Sequence, residues 1–198
     1  MIKRIGQALK RVLVSNLGIW FYAADKLPVG THLEYFLKYR VKFPIRTIVD
    51  VGANIGKFSS SLHNHLPNAK FHCLEPFSQT FELLKKNLSD SSFKLYQTAL
   101  GEKNESLSIE VNPSTQSDTN SLRNVALPAT SIQSEVIEVV TLDEFVARNG
   151  LSEIDFLKID TEGYDLQVLK GGEQNLCSGK IKLILVECGL DPTNTYHV

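Results

Sequence analysis

From residue 45 onward, short apolar runs alternate with segments of helical period. "IRTIVDV" (45–51) is a β-branched run leading into a glycine turn, the pattern of a buried strand. Residues 57–66 read as a helix ended near Pro67, "KFHCLE" (70–75) as a second strand, and "PFSQTFELLKKNL" (76–88) as a second helix. In that helix Phe77, Phe81, Leu84 and Leu88 fall at 4, 3, 4 spacing on one face. "FKLYQTAL" (93–100) predicts a single third strand, and "SLSIEV" (106–111) alternates as an antiparallel strand at one side of the sheet would. "VIEVV" (136–140) is again strand-like, and "TLDEFVARNG" (141–150) has the threonine cap and glycine stop of a short helix. "DFLKID" (155–160) is a fourth main strand, and "YDLQVLKGG" (164–172) a short helix. "IKLILVEC" (181–188) is apolar almost throughout, which implies a central strand buried on both faces. Strands and helices in this alternation predict an α/β fold with a doubly wound, mostly parallel sheet.

Two segments break the rhythm. Residues 1–44 form a helical extension ahead of a domain over 45–198; within it Ile2, Ile5, Leu9 and Val12 share a face, with basic pairs at Lys3-Arg4 and Lys10-Arg11. Such a helix over residues 1–13 can rest on an anionic membrane surface, or pack on the domain with its cations in water. Ser15, Asn16 and Gly18 interrupt the apolar run a signal peptide needs. Between Asn112 and Ser134 the chain is polar and too long for an ordinary connection. It is expected either to close over the site, with Thr119, Asn120 and Ser121 suited to a polyol, or to be a solvated linker.

Composition narrows the partners. Lysine and arginine number 21 against 22 acids, a net charge of -1, so the chain lacks the cation excess that nucleic-acid phosphates demand. The three cysteines have no C-x-x-C spacing and suit free thiols in a reducing compartment, hence a cytoplasmic location. His63 and His65 are two apart on a predicted helix and face different ways, so no histidine metal site is expected.

The chemistry is expected at the carboxyl ends of the strands, near the reversal of strand order. After the first strand the turn reads Gly52-Ala53-Asn54-Ile55-Gly56, where a dinucleotide fingerprint would have glycine in place of Asn54. Asp50 stands two residues before Gly52, and its charge would repel a pyrophosphate. Both departures count against a nicotinamide oxidoreductase. Asn54 can cap the first helix or bond a ligand, and the two roles are compatible. Acids stand at four strand ends, Asp50, Glu75, Asp160 and Glu187. Glu75 lies 19 residues after Gly56, where a carboxylate takes the ribose hydroxyls of an adenosine ligand.

Asp50-Val-Gly-Ala-Asn-Ile-Gly56, Glu75-Pro76, Ala99-Leu-Gly101, Thr141-Leu-Asp143, Leu157-Lys-Ile-Asp-Thr-Glu-Gly163 and Val168-Leu-Lys-Gly171 together resemble the FkbM family of S-adenosylmethionine-dependent methyltransferases, over about residues 47–188. The resemblance implies a class I methyltransferase-like Rossmann fold, S-adenosyl-L-methionine as cofactor, and transfer to a hydroxyl of a sugar, glycolipid or polyketide-type acceptor. By position, Asp50, Gly52, Ala53, Asn54 and Gly56 would hold the methionine part, Glu75 the ribose, the backbone around Thr98 and Ala99 the adenine, and Asp160 the mouth between cofactor and acceptor. A sulfonium ligand has no pyrophosphate, and its ammonium welcomes a carboxylate, which accounts for Asn54 and Asp50 together. Asp160, Glu162 and Glu187 are the candidates for contacting or deprotonating the acceptor, with Lys158 on the face of Asp160 and in reach of an ion pair with Glu187. A divalent ion between Asp160 and Glu187 is a less favoured arrangement. Sheets of this class ordinarily continue past the fifth strand. The expectation is therefore a domain lacking its C-terminal strands, with an open edge that favours a homodimer, or a protein that binds the cofactor without turnover.

Overall fold

The structure is a computed structural model that describes residues 32–111 and 133–187. The basic segment 1–13, the polar residues 112–132 and Cys188 lie outside the described residues. The chain divides into two units at Phe43 and Pro44. Of the first, the described part contains helix α1 (Leu33–Tyr39).

The second unit holds strands β1 (Thr47–Val51), β2 (Lys70–Leu74), β3 (Phe93–Tyr96), β4 (Ala99–Gly101), β5 (Glu105–Val111), β6 (Gln133–Thr141), β7 (Phe156–Ile159) and β8 (Ile184–Val186). Its helices are α2 (Lys57–His65), α3 (Ser78–Asn87), α4 (Leu142–Arg148), α5 (Asp165–Lys170) and α6 (Glu173–Cys177). The main sheet has the order β3-β2-β1-β7-β8, parallel throughout. Its order reverses between β1 and β7, as in doubly wound Rossmann-like sheets. This is the doubly wound, parallel α/β sheet expected.

Alternation along β1 divides the core. Val49 and Val51 face one side and join Leu74, Leu157 and Ile159 under Leu142, Phe145 and Val146 of α4 and Val168 of α5. On the other side α2 packs through Phe58, 6.4 Å from the ring of Phe156, and through His63, 5.8 Å from Phe71. The predicted stripe on the second helix is buried at all four positions, Phe77, Phe81, Leu84 and Leu88. Thr141 caps α4 by accepting from the Glu144 N–H at 3.1 Å.

Three sequence expectations are corrected. "FKLYQTAL" is two strands: the chain leaves the main sheet after Tyr96, and β4 pairs in parallel with β6 of a second sheet of order β4-β6-β5. Thr98 marks the crossing, donating its hydroxyl to the Glu138 carbonyl at 3.0 Å. "SLSIEV" is antiparallel as expected, but to β6 in that second sheet rather than at a side of the main one. "IKLILVEC" yields only the three residues of β8, which is the outermost described strand, with Ile184 and Leu185 42% and 39% exposed. An apolar run reads the same whether one neighbour or two flank it, so pattern alone did not separate edge from centre.

The end of α5 meets the second sheet through glycine. A Cβ on Gly171, which follows α5, would lie 2.0 Å from the carbonyl oxygen of Gly101 in β4. Gly171→Ala is therefore expected to destabilise the domain toward the upper end of the ~1–3 kcal/mol typical of overpacking. Urea unfolding checks this as a lower midpoint at unchanged slope.

Candidate functional site

A cavity of about 230 Å³ opens beyond the carboxyl ends of β1, β2 and β7, at the reversal of strand order. Its wall comes from four places: the turn Gly52–Ile55, the segment Glu75–Phe77, the crossing Thr98–Leu100, and the turn Asp160–Glu162. Val51 of β1, Lys57 and Phe58 of α2 and Lys158 of β7 complete it.

Each segment is held for a local reason. Gly52 has φ 75°, and a Cβ there would lie 1.9 Å from the Asp160 carbonyl oxygen, so the first turn and the end of β7 touch peptide against peptide. Only glycine permits both the left-handed backbone and that approach. Asn54 also adopts positive φ, 52°, and its Oδ1 accepts from the Ile55 N–H at 2.6 Å. It does not cap the following helix: α2 begins after Gly56, which offers no side-chain cap. Glu75, 5% exposed, spans two wall segments, with Oε2 accepting from the Asn54 N–H at 3.0 Å and Oε1 from the Phe77 N–H at 3.1 Å. Burial pushes its carboxyl up to about 7, against those two N–H groups, which favour the charged form.

The turn after β7 is shaped by Asp165, which sequence reasoning missed. Its carboxylate accepts from the Thr161 N–H at 3.1 Å and the Gly163 N–H at 3.2 Å, across a reversal in which Glu162 takes φ 50° and Gly163 φ 93°. Aspartate two residues beyond a glycine was the available signal, since its side chain can bond the backbone of such a turn.

Beneath the wall lies a line of buried polar groups. Cys73 donates from Sγ to Ser59 Oγ at 3.3 Å, and Ser59 donates to Asp50 Oδ2 at 2.6 Å. Asp50, fully buried, meets Lys158 Nζ through Oδ1 at 3.0 Å, and Lys158 reaches Asp160 Oδ2 at 3.3 Å. Asp50 and Lys158 are register partners on β1 and β7. Burial works to lower the Lys158 pKa, but the charges and hydrogen bonds of Asp50 and Asp160 outweigh it and hold the ammonium above the ordinary lysine range. The Cys73 thiol is pushed up, first by burial and then by Asp50.

Of the residues singled out from sequence, Gly52, Ala53, Asn54, Glu75, Thr98, Ala99, Asp160 and Glu162 line the cavity. Asp50 and Gly56 are not in its wall: Asp50 sits behind it as the partner of Lys158, and Gly56 lies against Leu84 and Leu88. Glu187, exposed just past β8, is not in the wall either, and Lys158 turns to Asp50 and Asp160 rather than to it. Among the described residues no group of three or more His, Cys, Asp or Glu is placed to hold a metal ion, and no helix is long and apolar enough to cross a membrane.

The family profile described as "Methyltransferase FkbM domain" matches residues 50–197, which include the entire cavity. The chain belongs to the FkbM methyltransferase family. Methyltransferase 1 of Beauveria bassiana is 28% identical over 182 residues, covering 80% of this chain and 73% of its own length. The hexuronic acid methyltransferase AglP of Haloferax volcanii is 27% identical over 143 residues, covering 72% of this chain and 56% of its own. A crystal structure of an FkbM methyltransferase from Methylobacillus flagellatus aligns over 82% of this chain at 21% identity and TM-score 0.49. The present chain spans 37% of that protein.

Within this FkbM domain, several residues that carried the resemblance serve the scaffold. Asp143 accepts from the N–H groups of Gln174 and Asn175 at the start of α6, each at 3.0 Å, while its own N–H donates to the Gly171 carbonyl. Gly101 and Gly171 make the contact between β4 and the end of α5 described above.

Glu75 predicts a pH signature. Its carboxyl binds a proton more tightly folded than unfolded, so its contribution to stability is complete below the unfolded value near 4.5 and is lost as pH rises through about 7. The stability difference between the native protein and Glu75→Gln is expected to change across that window and to be flat on either side, as read by urea unfolding at a series of pH values.

Proposed function

We propose that this domain binds S-adenosylmethionine in the cavity and transfers its methyl group to a hydroxyl of a sugar, glycolipid or polyketide-type acceptor. The observation that carries the reading is Glu75, a buried carboxyl at the end of β2 whose two oxygens are tied to two different wall segments. A carboxylate so fixed keeps lone pairs to accept from the hydroxyls of a ribose. The surrounding chemistry fits the same ligand. Lys158 is engaged by two carboxylates and a carbonyl, so its charge is not offered to a pyrophosphate, and Asp160 and Glu162 bring negative charge to the wall.

In this reading the turn Gly52–Asn54 holds the amino-acid portion, Glu75 the ribose, and Phe77, Thr98, Ala99 and Leu100 the flat face and edge of the base. Asp50 acts from behind, through Lys158, and not by contact. The cofactor supplies a methyl group already activated on a sulfonium. What remains for the chain is to hold the acceptor oxygen in line and to take its proton, and Asp160 and Glu162 are the wall carboxylates available for that. The hexuronic acid methyltransferase among the relatives supports a sugar-derived acceptor.

Calorimetric titration with S-adenosylmethionine, S-adenosylhomocysteine and NAD tests the cofactor. Binding of the first two but not NAD is expected, with a loss of about tenfold or more in Glu75→Ala, and affinity higher at pH 8 than at pH 5.5 because the ribose hydroxyls donate to the ionised Glu75. Binding of NAD alone would overturn the reading. With a hydroxylated acceptor in hand, Asp160→Asn or Glu162→Gln is expected to reduce turnover by roughly 10²- to 10⁴-fold; near-normal rates in both would remove the base from this pair.

A further inference from the structure

Lys158 is a cation buried on a strand whose neighbours Leu157 and Ile159 are apolar, opposite the fully buried Asp50 of β1. Removing a buried ion pair in favour of apolar groups is often neutral or stabilising. The geometry of its ammonium is specific. Nζ donates to the Gly52 carbonyl oxygen at 3.2 Å and forms ion pairs with Asp50 Oδ1 at 3.0 Å and Asp160 Oδ2 at 3.3 Å. Those acceptors belong to three places: the strand β1, the turn that follows it, and the end of β7. The Phe58 ring of α2 closes the remaining side, its centroid 5.1 Å away.

We propose that Lys158 is a positioning residue: its ammonium ties the Gly52 peptide to the Asp160 carboxylate and so preforms two walls of the cavity, with Asp50 as its oriented counter-ion. The inference rests on the cavity being the cofactor site. Gly52 and Asp160 are in peptide contact with no room for a Cβ, so a small slip of either displaces the other. Backbone bonds alone hold that junction to the sheet, Gly52 and Ala53 N–H to the Leu74 carbonyl and Asp160 N–H to the Val51 carbonyl. Lys158 adds a tie at the level of the ligand. Asp50 is in turn aimed by the Ser59 hydroxyl, which itself accepts from Cys73, so the direction of the charge is set from the interior outward. Asp160 is the end of that line, its side chain 41% exposed while that of Lys158 is 8% exposed.

The test is the double variant Asp50→Asn/Lys158→Met, which removes both buried charges together and so avoids leaving either uncompensated. Amide hydrogen exchange at Gly52, Ala53 and Asp160 is expected to accelerate about tenfold or more, while the Asp155 amide, bonded to Thr47 O at the opposite end of the sheet, keeps its protection. Affinity for S-adenosylhomocysteine is expected to fall about tenfold or more, and the part of that loss due to Asp160 to vanish when the change is made in an Asp160→Asn background. A folded double variant that exchanges and binds like the native protein would overturn the proposal. Asp160→Asn alone leaves Asp50 and Lys158 paired and does not depend on the double variant folding; it is expected to speed exchange at Asp160 and, to a smaller extent, at Gly52, and unchanged exchange at Asp160 would refute the tie. Native protein that binds neither S-adenosylmethionine nor S-adenosylhomocysteine refutes the cavity reading and the affinity arm with it, whereas the exchange arm judges the tie by itself.

Discussion

β1 lies between two parallel neighbours in a register that sets Val51 level with Leu74 on one side and with Ile159 on the other. Three strands therefore stop at the same height, and the turns that follow them arrive at one place. Parallel pairing makes this possible, because only parallel strands deliver all their carboxyl ends to one edge. The cavity wall, the contact between Gly52 and Asp160, and the bridge from Glu75 to the Asn54 amide all follow from that shared level. The reversal of order between β1 and β7 then sends α2 and α4 to opposite faces and leaves the crevice between them open.

The same register governs the charges. Because Asp50 and Lys158 are opposite each other on adjacent strands, both point to the α2 face, where water is excluded and an unpaired charge would be intolerable. They neutralise one another, and the excess donors of the lysine turn outward to Gly52 and Asp160. Glu75 meets burial differently. Among the described residues no cation stands at hydrogen-bond distance from it, and two backbone N–H groups are too little to offset desolvation, so its carboxyl rises to about 7.

The residues that resemble the FkbM pattern divide into two sets when placed in space. Gly52, Glu75, Asp160 and Glu162 face the cavity. Gly101, Thr141, Asp143 and Gly171 do not: they cap α4 and α6 and let α5 sit against β4. Their joint purpose is to hold the second sheet, and with it the Thr98–Leu100 segment of the wall. A catalytic domain of this kind spends as many distinctive residues on holding its wall segments in place as on touching a ligand.

Much of this was legible along the chain. Apolar alternation on β1, the stripe at Phe77, Phe81, Leu84 and Leu88, and the threonine cap of α4 are local properties, set by period and by hydrogen bonding within a few residues. The glycine turn, Glu75 and the Asp160–Glu162 turn could be placed at strand ends for the same reason. What the chain alone could not convey were quantities that depend on neighbours distant in sequence. One strand became two because Thr98 crosses to a partner, β6, that lies 40 residues on at Glu138. β8 reads as central but has a single described neighbour. Asp50 looks like a ligand contact, yet the lysine opposite it on β7 takes its charge and keeps it out of the cavity. Sequence by itself determined the elements, their order and the family; only the tertiary structure decided which carboxylates face the cavity and which are consumed behind it, because burial and charge pairing are set by contacts between strands and not by position along one.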